Sequence, residues 1–260
     1  MPDQKFTILR DGPVAHLRLT NPDRHNAFDD ALILGLTEAF TTLGEDSDIR
    51  VIILEAEGKS FSAGADLTWM QRVAGYSFDE NLADAGGLAE MLRVINFLPK
   101  PVIARVQGAA FGGGVGLVAC CDIAIGSTRA SFCLSEVKLG IIPSAISPYV
   151  VDAIGARAAR RYFQTAERFD APTALRFGLL HDVVEEDALD TAVDAVVQSI
   201  LAVGPIAARE AKDLVFSVDR PITAEVIEDT VHRIARLRAT PEAKEGMAAF
   251  FEKRSPAWKK

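Results

Sequence analysis

The sequence predicts an α/β domain followed by a purely helical C-terminal region. Three observations carry this. Short β-rich runs alternate with helical patterns from Phe6 to about residue 200. Loops dense in glycine interrupt that alternation at Gly58–Gly64 and Gln107–Gly114. From about Leu201 onward only helical patterning remains. The expected organisation is therefore a core over 1–200 and a helical region over 201–260.

The chain opens as a hairpin. Phe6–Leu9 and Val14–Leu19 are β-rich and flank Asp11–Gly12, a strong tight-turn pair. Asn21–Pro22 ends the second strand. Asp29 and Asp30 then suit a helix start. Leu32, Leu36, Phe40 and Leu43 recur at helical spacing, with Gly44 as the expected stop. Val51–Leu54 reads as a buried strand and Gly58–Gly64 as a loop. Helical patterning covers Asp66–Arg72 and Glu80–Leu98. Pro101–Val106 is a second buried strand, Gln107–Gly114 a turn and Val115–Cys120 an apolar helix. Asp122–Gly126 and Ser131–Cys133 are short strands. The late helices are Ile206–Phe216, Thr223–Arg238 and Pro241–Lys253, with Pro205, Pro221 and Pro241 near their starts. No internal sequence repeat is visible.

Composition narrows the function. A chain of 260 residues buries roughly 70–75% of its unfolded surface and needs no disulfide or metal to hold together. Apolar residues are 49% and charged residues 25%, which excludes a disordered or collagen-like chain. The net charge of −8 argues against a nucleic-acid partner. Residues 201–260 hold 11 Lys and Arg against 9 Asp and Glu, a net of +2. The first 200 residues therefore carry 17 against 27, a net of −10. Cys120, Cys121 and Cys133 are too few and too close for a disulfide framework and fit reduced, buried thiols. The first residues, MPDQKFTILRD, contain no apolar leader. The longest apolar stretch, Val115–Ile125, is broken by Gly116 and Asp122, well short of the roughly 18 residues of a membrane span. A cytoplasmic protein without a membrane partner is expected.

Three stretches have the makings of a site. In Phe61-Ser62-Ala63-Gly64-Ala65-Asp66-Leu67 a small-residue loop runs into a helix start that Asp66 can cap. Unpaired N–H groups at such a start can hold an anion or a polarised carbonyl. Gln107-Gly108-Ala109-Ala110-Phe111-Gly112-Gly113-Gly114-Val115-Gly116 places three consecutive glycines before an apolar helix. Each costs roughly 0.5–1 kcal/mol relative to Ala, so close approach of a ligand or another backbone is expected. Neither the Gly-x-Gly-x-x-Gly dinucleotide pattern with its later acid nor the Gly-Lys-Ser/Thr of a phosphate loop fits. Close helix–sheet packing is the plainer alternative. In Leu134-Ser135-Glu136-Val137-Lys138-Leu139-Gly140, Glu136 is an acid among apolar residues. Burial would raise its pKa toward the range of a general acid or base, while Lys138 offers it an ion-pair partner. Two sets of backbone donors and one acid are what enolate stabilisation requires.

At this point the chain resembles the enoyl-CoA hydratase/isomerase (crotonase) superfamily. The resemblance is carried by Asn21-Pro22-Asp23-Arg24-His25-Asn26-Ala27, Phe61–Leu67, Lys100-Pro101-Val102-Ile103-Ala104, Gly108–Gly114, Cys121-Asp122-Ile123-Ala124, Leu134–Gly140 and Glu245-Gly246-Met247-Ala248-Ala249-Phe250. It spans essentially the whole chain in order. The resemblance implies a spiral of ββα turns with a C-terminal helical trimerisation region, and trimers often paired into hexamers. It implies an acyl-CoA thioester as substrate, with coenzyme A entering as part of that substrate and no separate cofactor. Ala65 and Gly113 match the positions whose amides hold the thioester oxygen. Ala63, Asp66 and Leu67 match the adenine pocket; Arg24, His25 and Ala27 match a stretch along the pantetheine and phosphates. Phe251 and Lys253, with Phe250, fall where a C-terminal helix approaches CoA, from the same or a neighbouring subunit.

The acids divide the family. Hydratases often carry two glutamates; the second matches Glu136, whereas Gly116 stands where the first would be. Isomerases commonly keep only the later one. Syn addition lets a single water supply both oxygen and proton, so one glutamate can serve a hydratase. Gly112–Ile125 and Leu134–Phe163 look most like methylglutaconyl-CoA hydratase-like members, whose substrates carry a distal carboxylate. Ser144, Ser147 and Arg72 are candidate donors for it. The expected activity is a 2-enoyl-CoA hydratase. A double-bond isomerase and a non-catalytic CoA-ester binder are the alternatives. No His or Cys spacing suits a metal. Ser62, Ser131 and Ser135 lack a nucleophile elbow with a matched His. Trp69, Met70 and Tyr76 suit either an acyl pocket or core packing.

Overall fold

A computed structural model describes residues 5–259; the first four residues of the stretch read for a leader lie outside it. β1 (Phe6–Asp11) and β2 (Val14–Leu19) pair antiparallel around a tight turn in which Gly12 takes φ +54°. α1 (Asp30–Glu45) starts where the Asp29 carboxylate accepts the Leu32 N–H, and buries Leu32, Leu36, Phe40 and Leu43 along one face. It runs through Gly44, where a stop was expected. That glycine serves a close approach instead, because a Cβ there would stand 2.8 Å from Leu98 Cδ1.

A repeating path follows that the sequence does not display. β3 (Val51–Ala56) enters a large sheet, β4 (Ser60–Ser62) a small one, and the chain then crosses to α2 (Leu67–Val73) and α3 (Phe78–Asn96). β5 (Val102–Val106) and β6 (Ala109–Phe111) repeat the move before α4 (Gly113–Cys120). β7 (Ile123–Ser127) and β8 (Ser131–Cys133) repeat it before α5 (Ser147–Thr165). β9 (Phe169–Asp170), α6 (Ala171–Phe177), β10 (Asp182–Val184) and α7 (Leu189–Leu201) complete this part. The large sheet has the order β1-β2-β3-β5-β7-β10 and the small one β4-β6-β8-β9. β2, β3, β5, β7 and β10 run parallel.

Two expected loops therefore hold strands. β4 lies inside Gly58–Gly64, and β6 inside Gln107–Gly114, which also contains the first two residues of α4. Three-residue strands are too short to show alternation. The continuous apolar run of β3 reflects burial on both faces. One face joins the main core with Leu17, Phe40 and Leu117; the other packs Val51, Ile53, Ile103 and Ile125 on Leu189, Val193 and Val197 of α7.

The last helices are α8 (Pro205–Val218), α9 (Ala224–Arg238) and α10 (Pro241–Glu252). The Glu242 carboxylate accepts the Ile206 and Ala207 N–H groups at the start of α8 (3.0 and 2.8 Å). Lys212 of α8 reaches Asp122 at 2.9 Å. Arg50 donates to the carbonyls of Ile200, Leu201, Val203 and Trp258 and so ties the start of β3 to the end of α7 and the chain's tail. Replacing Arg50 with Ala removes these bonds and should lower stability by about 1–3 kcal/mol in urea unfolding. An unchanged midpoint and slope would remove this role.

Candidate active site

Ala65 is aimed by its neighbours. The Phe28 N–H donates to Gly64 O at 2.8 Å and the Asp66 N–H donates to Phe28 O at 3.0 Å, a parallel bridge between Phe28 and Ala65. In a parallel bridge the amide of the residue between those two contacts points to the opposite side. The Ala65 N–H accordingly finds no protein acceptor among the described residues. Gly113 is the first residue of α4, which has no side-chain cap, and its N–H is likewise unpaired among the described residues.

Glycine brings the loops that carry the two amides together. Gly64 sits at φ +82°, and a Cβ on it would stand 2.7 Å from Phe111 O and 3.5 Å from Gly113 N. Gly113 meets Phe28, whose Cζ would be 2.2 Å from an added Cβ. Gly114 lies on Ser62, with Ser62 O 2.6 Å from the corresponding point. The glycines thus let the loop of Gly64 approach the Phe111–Gly113 backbone, Gly113 the Phe28 ring and Gly114 the Ser62 backbone.

Glu136 opens the 3₁₀ turn Glu136–Leu139 that follows β8. Its Oε1 lies 3.1 Å from where a Cβ on Gly112 would stand, so the carboxylate faces the corner that leads into Gly113. It is half-buried, and its Oε2 has no hydrogen-bond partner among the described residues. The ion pair with Lys138 that the sequence offers is not formed. Burial pushes the carboxyl above its ordinary pKa, with its own backbone N–H opposing only in part. At Gly116 a Cβ would stand 2.3 Å from Ile146 Cγ2 and 2.9 Å from Ile146 Cβ. A second carboxylate has no room there.

A pocket of about 480 Å³ is lined by Lys5, Asn21, Arg24, Asp29, Asp66 and Thr68 among others, Asp66 being the residue after Ala65. Asp66 caps α2 by accepting the Thr68 and Trp69 N–H groups. Lys5 is paired with Asp29, whereas Arg24 makes no ion pair among the described residues. The Ala63 N–H donates to His25 O at 2.9 Å, which sets His25 and the buried Ala27 beside the same loop. Leu67 is exposed at its edge. Phe251 and Lys253 form no bond to this group within one chain among the described residues. Phe250 and Phe251 are 77% exposed, and no hydrogen bond, ion pair or ring contact among the described residues joins α10 to this loop.

A family model described as enoyl-CoA hydratase/isomerase matches residues 10–260. The chain belongs to the enoyl-CoA hydratase/isomerase family. A solved enoyl-CoA hydratase from Shewanella pealeana is 46% identical with a TM-score of 0.95, over 98% of this chain and 96% of that one. A solved putative enoyl-CoA hydratase/isomerase from Legionella pneumophila is 44% identical with a TM-score of 0.92, over 98% of each chain. The crotonyl-CoA hydratase of Syntrophomonas wolfei is 32% identical over 96% of both chains. The spiral path is thus the fold of this enoyl-CoA hydratase/isomerase family.

For this family member, sequence reasoning missed the side chains that hold the loops. Asn26, Ser62 and Gln107 are buried and hydrogen-bonded to backbone. The signal available was polar residues embedded in the motifs that carry the family resemblance. Ile146 was missed because its role is set by Gly116, 30 positions away in a different helix.

Proposed function

We propose that the protein adds water across the double bond of a 2-enoyl-CoA. The observation that carries this is Glu136, half-buried with its Oε2 unpaired among the described residues and facing Gly112, next to Gly113, whose N–H, like that of Ala65, is free among the described residues. The thioester oxygen sits between the two N–H groups. As water oxygen bonds to C3, the C2=C3 pair shifts toward the carbonyl and charge builds on that oxygen, where the amides stabilise it. Glu136 takes a proton from the attacking water. The enolate collapses and C2 receives that proton, so one water has been added and the carboxylate is restored. Arg24, which lines the pocket and makes no ion pair among the described residues, supplies a cation for the CoA phosphates.

The packing of Ile146 against Gly116 favours a second reading, a double-bond isomerase in which Glu136 moves one proton between C2 and C4. Incubation with a 2-enoyl-CoA and, separately, a 3-enoyl-CoA separates the two. Hydration consumes the conjugated thioester absorbance of the first and yields a 3-hydroxyacyl-CoA; isomerisation creates that absorbance from the second. Binding of both without any absorbance change would leave a CoA-ester binder and end the catalytic reading.

A branched, carboxylated substrate such as methylglutaconyl-CoA is the finer proposal and rests on sequence resemblance. Of its three candidate donors, Ser147 Oγ donates to Ser144 O at 2.7 Å, and Arg72 is held by Asp30 and Tyr76. Ser144 is exposed. If the proposal holds, the Ser144→Ala/Ser147→Ala double variant loses selectivity for carboxylated over plain enoyl-CoA; unchanged selectivity removes it. A homotrimer, or a hexamer of two trimers, is also proposed. Ile227, Val231 and Ile234 form an exposed apolar stripe on α9 that a second copy would cover. Light scattering at the mass of a monomer would contradict it.

A further inference from the structure

We propose that Ser62 is a positioning residue whose buried hydroxyl sets the orientation of the Ala65 amide against that of Gly113. The inference rests on the hydratase reading above.

Ser62 is fully buried at the end of β4. Its hydroxyl donates to Asn26 O at 2.9 Å and accepts the Gly64 N–H at 3.2 Å. The proton therefore goes to a backbone carbonyl and not to a histidine, which leaves the hydroxyl no role as a nucleophile. The anchor it grips is itself fixed. Asn26 is fully buried at φ +53°, its Nδ2 donates to Glu57 O and Ser60 O, and its Oδ1 accepts the Asn21 N–H. Gln107 Nε2 donates to Ala56 O, Gly58 O and the same Ser60 O.

The consequence falls on Gly64. Its N–H is held by the Ser62 hydroxyl and its carbonyl by the Phe28 N–H. The N–H lies in the 63–64 peptide plane and the carbonyl in the 64–65 plane, so with both held the Gly64 φ and ψ between them are fixed, and with them the Ala65 N–H that belongs to the second plane. Glycine at φ +82° has little conformational preference of its own, so losing the Ser62 tether frees the 63–64 plane and leaves the 64–65 plane held from the Gly64 side at its carbonyl alone, able to turn about that bond. On its other side Ser62 meets Gly114, with Ser62 Cβ 3.1 Å from the point where a Cβ there would stand. One buried residue thus touches the neighbours of both amides.

The test uses the bound 2-enoyl-CoA as its own probe, because polarising a conjugated thioester carbonyl shifts its absorbance to the red. Glu136→Gln provides a background in which ligand binds and turns over slowly. Adding Ser62→Ala should shrink the red shift per bound ligand. In the otherwise native protein, Ser62→Ala should lower kcat by about tenfold or more, less than the full loss of an oxyanion donor, with KM within about twofold. Ser62→Thr, which retains the hydroxyl, should restore the shift. If Ser62→Ala fails to fold, Ser62→Cys, with only a weak sulfur donor and acceptor, replaces it with the same expectation. A merely structural role would lower the melting temperature and the active fraction yet leave the shift per bound ligand unchanged. That result, or kcat within twofold of native, overturns the proposal. Absence of any red shift in Glu136→Gln alone would instead overturn the hydratase reading.

Discussion

Glu136→Gln should cut turnover of a 2-enoyl-CoA by about 100-fold or more while the thioester still binds, since general acid–base catalysis contributes 10²–10⁴-fold. Glutamine keeps the shape and the polar contact and removes the group that exchanges the proton. The pH profile carries the same claim. Burial raises this carboxyl above its ordinary range, and the reaction needs it ionised to accept a proton from water. Activity should therefore fall as pH drops through the raised value, with an acid limb above the ordinary glutamate range. Stability moves the other way. A carboxyl whose folded pKa is raised binds more protons in the native state than in the unfolded one, so its contribution weakens as pH rises from the ordinary glutamate value through the raised one. At neutral pH the ionised, unpaired Glu136 is a cost to the fold, and Glu136→Gln should melt higher than the native protein. Native-like turnover, or a lower melting temperature, would count against the assignment.

Gly64→Ala should be the most damaging change outside the acid. The position combines φ +82° with a Cβ site 2.7 Å from Phe111 O, which is backbone and has little room to retreat. Relief must come from separating the loop of Ala65 from that of Gly113. Displacing one of two oxyanion donors costs about 10²–10³ in kcat, on top of about 1–3 kcal/mol of backbone strain. Steady-state kinetics beside a denaturation curve separates the two effects. A folded Gly64→Ala protein with kcat within tenfold of native would mean that this close approach is packing alone.

Much of the fold was legible because its signals are local. The hairpin turn at Asp11–Gly12, the Asp29 and Asp66 caps and the apolar run of β3 each state a structure within a few residues. β4 and β6 were not legible, because three residues carry no period and their pairing partners lie about 50 positions apart. Gly44 misled because a glycine required for packing on Leu98 looks in sequence like a helix stop. At the site, glycine density marked the two loops, and their meeting at Gly64 and Gly113 is a tertiary fact. Lys138 lay near Glu136 in sequence yet forms no ion pair with it, since a short 3₁₀ turn carries the two side chains apart. Ser62 looked like an ordinary small residue until Asn26 and Gly64 closed around its hydroxyl.

The central claim is that two main-chain amides and one acid share a single thioester. A crystal structure with a saturated acyl-CoA that cannot be hydrated measures this directly. The thioester oxygen should lie about 2.7–3.1 Å from both the Ala65 and Gly113 nitrogens, with the Glu136 carboxylate facing the C2–C3 bond. A thioester oxygen bound to neither amide, or an acyl chain running away from Glu136, would contradict the account.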